Sequence, residues 1–264
     1  MKGNYLLVYL AIIHNGDWQL IYRSIRGKDI YEISEEAIMS KVDSLKCKWI
    51  TILDKAYPHY LKQIPFPPIV LFYQGDISLI YDYNSNLAVI GSRDPSSWGV
   101  DVTKKLVGGL KKEIVIVSGL AKGVDGIAHQ TAIDNHHKTI AVLGGGFDRF
   151  YPSENKGLYD NIIANPHNLV ISEYPPSHTP TQSQFPMRNR LISAFSKAIL
   201  VTEAKIKSGT TITIGHALSQ NRDVLCVPSS DLGESGCNMC IKDGGFLVET
   251  VEDIEAFFGF GKLL

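Results

Sequence analysis

Asn86-Leu87-Ala88-Val89-Ile90-Gly91-Ser92-Arg93 is the stretch on which the fold turns. An unbroken aliphatic run of strand length, with no polar alternation, suits a strand covered on both faces. The runs Leu87–Ile90, Ile114–Val117, Thr139–Leu143, Leu169–Ile171, Ala198–Val201 and Val224–Val227 repeat this pattern. Segments with helical spacing separate most of them, as at Val100–Leu110, Val124–Ile133 and Thr211–Gln220. Strand and helix in alternation imply a doubly wound, mostly parallel sheet, an α/β core of extended Rossmann-like type. Such sheets bind ligands beyond the carboxyl ends of their strands, where the strand order reverses. The chemistry is therefore expected in the loops that follow each run.

Upstream, the first fifty residues read as short helices at Tyr5–Ile13, Trp18–Arg23 and Ser34–Leu45, with Ser34, Glu35 and Glu36 as a helix start. Residues 1–50 are expected to form a small helical N-terminal domain, and residues 51–264 the Rossmann-like domain. Pro65-Phe66-Pro67-Pro68 stops any helix and leads into an apolar run of strand length, Ile69–Tyr73. The run Tyr5–Ile13 is too short for a bilayer, which takes roughly 20 residues, and no cleavage site follows it. It is expected to be a buried helix of a cytoplasmic protein with no membrane partner.

The 264 residues are 44% hydrophobic and 20% charged, which suits a globular chain with a sizeable core and no disordered tail. The formal net charge of -1 does not advertise a nucleic-acid partner, so any such partner must be argued from local charge. Four cysteines in a chain without export signals make a disulfide framework improbable. Cys237-x-x-Cys240 lacks the second pair or the histidines of a zinc site.

Each loop carries its own signal. Gly91-Ser92-Arg93-Asp94-Pro95-Ser96 offers a close backbone approach, a helix start with free N–H groups and a guanidinium that can clamp phosphate. The plain alternative is a tight turn with a surface arginine. A dinucleotide fingerprint is absent, since G-x-G-x-x-G is missing and Lys111 and Lys112 stand where an acid should. Ser118-Gly119-Leu120-Ala121-Lys122-Gly123 suits phosphate cradling at a strand-to-helix junction. Asp125 and His129, four apart on the next helix, lack a third metal ligand and read as structural hydrogen bonding. Gly144-Gly145-Gly146 and the closing Tyr151-Pro152 leave ligand approach and simple suppleness open.

Gln184-Phe185-Pro186-Met187-Arg188-Asn189-Arg190 pairs an aromatic stacking surface with phosphate donors, as sequence-tolerant single-strand binding requires. Arg188 and Arg190 lie two apart, so on a helix they face different ways and one is expected to point into the site. Lys207, Ser208, Gly209 and Thr210 open a further helix. Between Gln182 and Gly209 five Lys or Arg residues stand against one acid, Glu203, which is the local excess the net charge conceals.

In this order the loops resemble the DNA-processing protein A family, also written DprA or Smf. The matching stretches are Tyr57-Pro58, Phe66 to Asp76, Ala88 to Arg93, Ile116 to Asp125 with Ala128-His129, Phe185 to Ile192, and Ser208 to Thr210. They reach from about Thr51 to about Phe258. The resemblance implies an extended Rossmann fold that binds single-stranded DNA, forms a homodimer and helps load the RecA recombinase during natural transformation, with no cofactor and no catalysis. It places Arg93, Phe185 and the serine–glycine loops in the DNA groove. The expected contacts are Gly91, Ser92 and Arg93; Ser118, Gly119, Lys122 and Gly123; Phe185, Arg188, Asn189 and Arg190; and Lys207, Ser208, Gly209 and Thr210.

Two departures stand out. Several members carry a lysine where this chain has Gln182, so one phosphate contact is weaker here or supplied from elsewhere, with Lys207 as a substitute. The winged-helix domain that some members carry is not expected after Leu264. The competing reading is a nucleotide-hydrolysing enzyme of the phosphoribohydrolase type, but Gly209-Thr210 is followed by Thr211, Ile212 and Thr213 rather than by the catalytic glutamate. A purely structural or adaptor role is the third reading.

Overall fold

A computed structural model describes residues 3–27, 34–231 and 233–260. Within them the strands are β1 (Lys48–Thr51), β2 (Val70–Gly75), β3 (Asn86–Ile90), β4 (Val115–Ser118), β5 (Thr139–Leu143), β6 (Leu169–Ser172), β7 (Ala198–Val201), β8 (Asp223–Cys226) and β9 (Phe246–Leu247). They join in one sheet of order β1-β2-β6-β5-β4-β3-β7-β8-β9. Pairing is parallel from β6 through to β9, and antiparallel where β2 meets β1 and β6. The doubly wound, mostly parallel α/β sheet expected from the aliphatic runs is thus present. The chain walks outward from β3 to β6, then returns to lay β7 on the other side of β3. That reversal puts the β3, β4, β5 and β7 loops along one carboxyl edge.

The helices are α1 (Gly3–Ile13), α2 (Trp18–Ile25), α3 (Glu35–Asp43), α4 (Ser97–Gly109), α5 (Val124–Asp134), α6 (Lys156–Ala164), α7 (Gln184–Ala194), α8 (Gly209–Ser219), α9 (Gly236–Lys242) and α10 (Val251–Phe257). The strand period of two sorts β3 between two cores. Leu87 and Val89 pack with Leu106 and Val107 of α4, Ala128 and Ala132 of α5 and Ile254 of α10. Ala88 and Ile90 face Leu191 and Ile192 of α7, Ala217 of α8 and Cys237 of α9. Burial of each such Val, Leu or Ile side chain contributes about 1.5–3 kcal/mol.

At the β6 side, helices α1, α2 and α3 join a third cluster. Leu7, Val8, Leu10 and Ala11 of α1, Ile21 of α2, and Ile38 and Val42 of α3 pack with Phe72, Ala141, Val170 and Ile162. The helical segment and the sheet therefore share this cluster. Ser34 caps α3 by accepting from Ala37 N–H at 3.2 Å, as its sequence position suggests. No described helix is long and apolar enough to cross a membrane.

Two edge strands escape the sequence reading. Strand β1 is four residues beginning in a lysine, and β9 is two exposed residues, so neither carries a run long enough to register. Inside the sheet, Asn86 pins the start of β3 by donating its amide to Leu79 O at 2.9 Å and Phe195 O at 2.8 Å.

At the end of β2, Gly75 adopts φ +99° where the chain turns away from β6. A methyl group there would lie 2.0 Å from the Asn168 carbonyl oxygen, which accepts the Asp76 N–H at 2.9 Å. Both the dihedral and the contact demand glycine. Gly75→Ala is expected to lower stability by about 2 kcal/mol or more. In urea unfolding this should appear as a lower midpoint with an unchanged slope.

Candidate functional site

At the reversal between β3 and β7 lies a groove of about 330 Å³. Its walls include Gly91, Ser92 and Arg93 after β3, Ala121 and Asp125 after β4, Arg188 and Asn189 of α7, and Lys205, Lys207, Ser208, Gly209 and Thr210 after β7. Arg93, Ala121 and Arg188 also line an adjoining recess of about 50 Å³, with Gly119, Lys122, Gly144, Tyr151 and Phe185. Residues spread over a hundred positions of sequence thus share one continuous edge.

The two helix starts at this edge differ. Ser96 caps α4, donating its N–H to both oxygens of Glu203 at 3.1 and 3.3 Å and its hydroxyl to the same carboxylate. The α4 N-terminus, expected to offer free donors to a ligand anion, is occupied by the chain's own anion. Ser92 N–H is likewise taken, donating to Glu203 O at 2.7 Å. At α8, Ser208 makes no side-chain cap, and its hydroxyl is buried without a partner. The Gly209 and Thr210 amides find no acceptor among the described residues. Unpaired amides and the helix dipole make this end an anion seat. Thr210 hydroxyl ties the two loops together by donating to Gly91 O at 3.1 Å.

The loop after β4 is organised by Asp125. Its carboxylate accepts from Gly119 N–H at 3.2 Å and Ala121 N–H at 3.4 Å, so these amides do not cradle a phosphate. Burial pushes the Asp125 carboxyl up, against the pull of Arg188 and these amides. Ser118, expected as a contact, is fully buried and donates to Val89 O at 2.6 Å, bracing β4 to β3. Gly123, with φ +74°, is needed because a side chain would strike Ser92 O at 2.3 Å. Gly91 and Gly119 serve similar close packing, against Glu203 O and the Arg188 guanidinium. Among these loop glycines the close approach is of protein to protein.

The α7 arginines separate as the helix period requires. Arg190 faces the core: its guanidinium grips Glu173 through two contacts of 2.6 Å and donates to Phe66 O at 2.6 Å. Only 1% of its side chain is exposed, so the expectation that Arg190 contacts a ligand is corrected. Arg188 lies beneath the groove, donating to Gly119 O at 2.6 Å, to Val142 O, and through Nε to Asn189 Oδ1 at 3.1 Å. Burial lowers its pKa to about 10, Asp125 opposing and Arg93 adding to the fall. It remains charged at neutral pH, as a fixed positive centre under the floor.

Arg93, Lys205 and Lys207 are exposed and form no ion pair among the described residues. Lys122 is exposed but paired with Glu154. Phe185 packs over Gly144, and the exposed Tyr151 leans on it with ring centroids 5.7 Å apart at 43°. Sequence reasoning did not place Tyr151 or Lys205 among the contacts. An aromatic beside a proline in a glycine-bearing loop, and the first of the two lysines in the β7 loop, were the available signals. Gln182 is exposed.

His129 is fully buried, its Nδ1 2.7 Å from Thr139 Oγ1. Among the described residues no cluster of three or more His, Cys, Asp or Glu side chains is arranged for a metal.

Fold and site together define a Rossmann-like α/β protein with a cationic, aromatic-rimmed groove at the sheet's carboxyl edge. Residues 48–259 match the family described as DNA recombination-mediator protein A. The DNA processing protein DprA of Streptococcus pneumoniae is 43% identical over 228 residues, covering 86% of this chain and 79% of that protein. Its counterpart in Bacillus subtilis is 41% identical over 212 residues, covering 78% and 69%. The crystal structure of DNA processing protein A from S. pneumoniae superposes with a TM-score of 0.78 at 35% identity, covering 96% and 97% of the two chains. The solved structure of DNA processing protein A from Helicobacter pylori, studied for its single-stranded DNA binding mode, gives 0.69 at 29% identity, covering 82% and 95%. This chain belongs to the DNA recombination-mediator protein A family.

Burial also yields a pH signature. It lowers the His129 pKa from 6.5 to about 3, so the imidazole is neutral in the fold and gains its proton on unfolding. Its contribution is fully present above the unfolded value and is lost as pH falls, by up to about 1.4 kcal/mol per pH unit. His129→Gln should show a shallower loss of stability than the parent between about pH 6 and 4. His137 and His216, also lowered, remain in both proteins and cancel. Urea unfolding over this range checks the difference in slope, and parallel declines would contradict it.

Proposed function

We propose that the protein binds single-stranded DNA along this groove. The convergence of Arg93, Lys205, Lys207 and the uncapped start of α8 on one edge, with Phe185 and Tyr151 at its end, is the observation that carries the reading. Cations and helix amides hold phosphates, while the exposed Tyr151 ring and the half-buried Phe185 ring stack with bases of any sequence. The H. pylori relative's single-strand binding supports the same substrate class here.

On this reading the protein is a non-enzymatic homodimer of the cytoplasm that protects incoming single strands and helps load RecA during transformation or recombination. The family's description as a recombination mediator supports that role. The phosphoribohydrolase alternative has less support: Thr211, Ile212 and Thr213 follow Gly209-Thr210, and the nearby carboxylates of Asp125 and Glu203 are engaged in bracing loops. Release of free adenine from AMP would favour the alternative.

Fluorescence anisotropy with oligo-dT tests the groove. Arg93→Ala should weaken binding by about 10- to 100-fold, the range for a lost charge-assisted hydrogen bond. Unchanged affinity in the folded variant would remove the site. Phe185→Ala and Tyr151→Ala should each lose about 1–3 kcal/mol of binding energy. The stacking assignment fails if both leave affinity intact. RecA filament growth on strands coated with single-strand-binding protein, with and without this protein, tests the loading role, and light scattering tests the dimer.

A further inference from the structure

Lys122 and Glu154 meet at the rim of the recess beneath Tyr151 and Phe185. Lys122 lies in the loop after β4, and Glu154 in the single turn Ser153–Asn155 after β5. Both side chains are more than half exposed. Independent contacts fasten the two segments to each other. Asn155 donates its amide to Leu120 O at 3.1 Å and Ala121 O at 2.9 Å, and Tyr151 anchors the Glu154 segment to α7 by resting on Phe185. The carboxylate is therefore carried to Lys122 by backbone that is already anchored. Arg93, Lys205 and Lys207 have no such counter-ion among the described residues.

We propose that Glu154 is a built-in competitor for the phosphate that Lys122 receives, and that it sets the affinity and salt sensitivity of this wall of the groove. The proposal rests on the reading of the groove as a single-strand site. A phosphate reaching Lys122 must displace the carboxylate, so one ammonium–carboxylate contact is exchanged for one ammonium–phosphate contact and no covalent bond changes. Before binding the pair is neutral, so Lys122 adds little to the counterions released when DNA arrives. The displaced carboxylate then faces the polyanion and repels it. The pairing with Lys122 also holds the Glu154 carboxyl below its ordinary range, so it stays ionised at neutral pH. The strand is thus held reversibly on this side, while Arg93 and the α8 start hold it on the other.

Glu154→Gln keeps the size of the side chain and removes its charge. Oligo-dT anisotropy is measured for the parent, Glu154→Gln, Lys122→Ala and the double variant between about 50 and 200 mM salt. Glu154→Gln should bind about two- to fivefold tighter at the low end, the scale of one exposed ion pair. Its salt slope should be steeper by about 0.7. Most of the gain should vanish in the Lys122→Ala background. An equal gain in both backgrounds would overturn the proposal, because general charge repulsion would then account for it. Unchanged or weaker binding by Glu154→Gln would overturn it too, assigning Glu154 to bracing Lys122. Parent protein that binds no oligo-dT sinks the single-strand reading, and this proposal with it. Binding that is lost in Arg93→Ala but indifferent to Glu154→Gln sinks this proposal alone.

Discussion

A guanidinium buried beneath the groove holds its walls in register. Arg188 links α7 to Gly119 O, just past β4, and to Val142 O in β5, while Asp125 of α5 opposes its charge. α7, the loop after β4 and β5 are joined through one planar cation. It donates to the backbone carbonyls of Gly119 and Val142, where a lost partner costs the desolvation of the buried group. Gly119 lacks a side chain because the guanidinium lies against it. The groove's shape therefore depends on a residue that presents little surface to any ligand.

Three carboxylates then determine which positive features stay free. Glu203 occupies the α4 start, Asp125 takes the amides of the β4 loop, and Glu154 pairs with Lys122. Among the described residues, what remains unpaired at this edge is the α8 start with Arg93, Lys205 and Lys207. An anion approaching this edge finds the α8 start open where the α4 start already faces the Glu203 carboxylate. The Ser96–Glu203 contact matters for the same reason. It sets the carboxylate at the start of α4 and ties the β7 loop to the β3 loop, and Ser208 and Arg93 line the same groove.

The fold was legible where hydrophobic periodicity is strong. Runs such as Leu87–Ile90 and Thr139–Leu143 are buried on both faces, and no other placement hides so much aliphatic surface. Strands β1 and β9 were not legible, since a few residues at a sheet edge carry no period. At the site, Arg93, Phe185 and the Ser208–Thr210 loop could be singled out because a guanidinium, an aromatic ring and a glycine-bearing helix start just past strand ends supply phosphate binding, base stacking and close backbone approach. The assignments that shifted share one physical cause. Ser118, Gly119 and Arg190 are residues whose hydroxyl, amide or guanidinium NH groups bond acceptors inside the protein. A sequence shows that a donor exists without showing which acceptor is nearest. The two-residue offset of Arg188 and Arg190 did show that they must part, and only packing against Glu173 decides which one turns inward.

The net charge of -1 and a groove for a polyanion are compatible because charge acts locally. At physiological salt the screening length is about 8 Å. Acids on the far side of the sheet are therefore scarcely felt at the carboxyl edge. There the three unpaired cations stand in concave walls, above a fourth that is buried and permanently charged. Three neutralised phosphates give a salt slope of only about 2 for a single strand. One groove would thus hold a strand firmly enough to collect it and loosely enough to give it up. Two linked grooves would raise the hold by effective concentration without any new contact. Under the proposed reading, that combination of modest single-site grip and paired engagement is what a protein needs if it is to pass a strand onward.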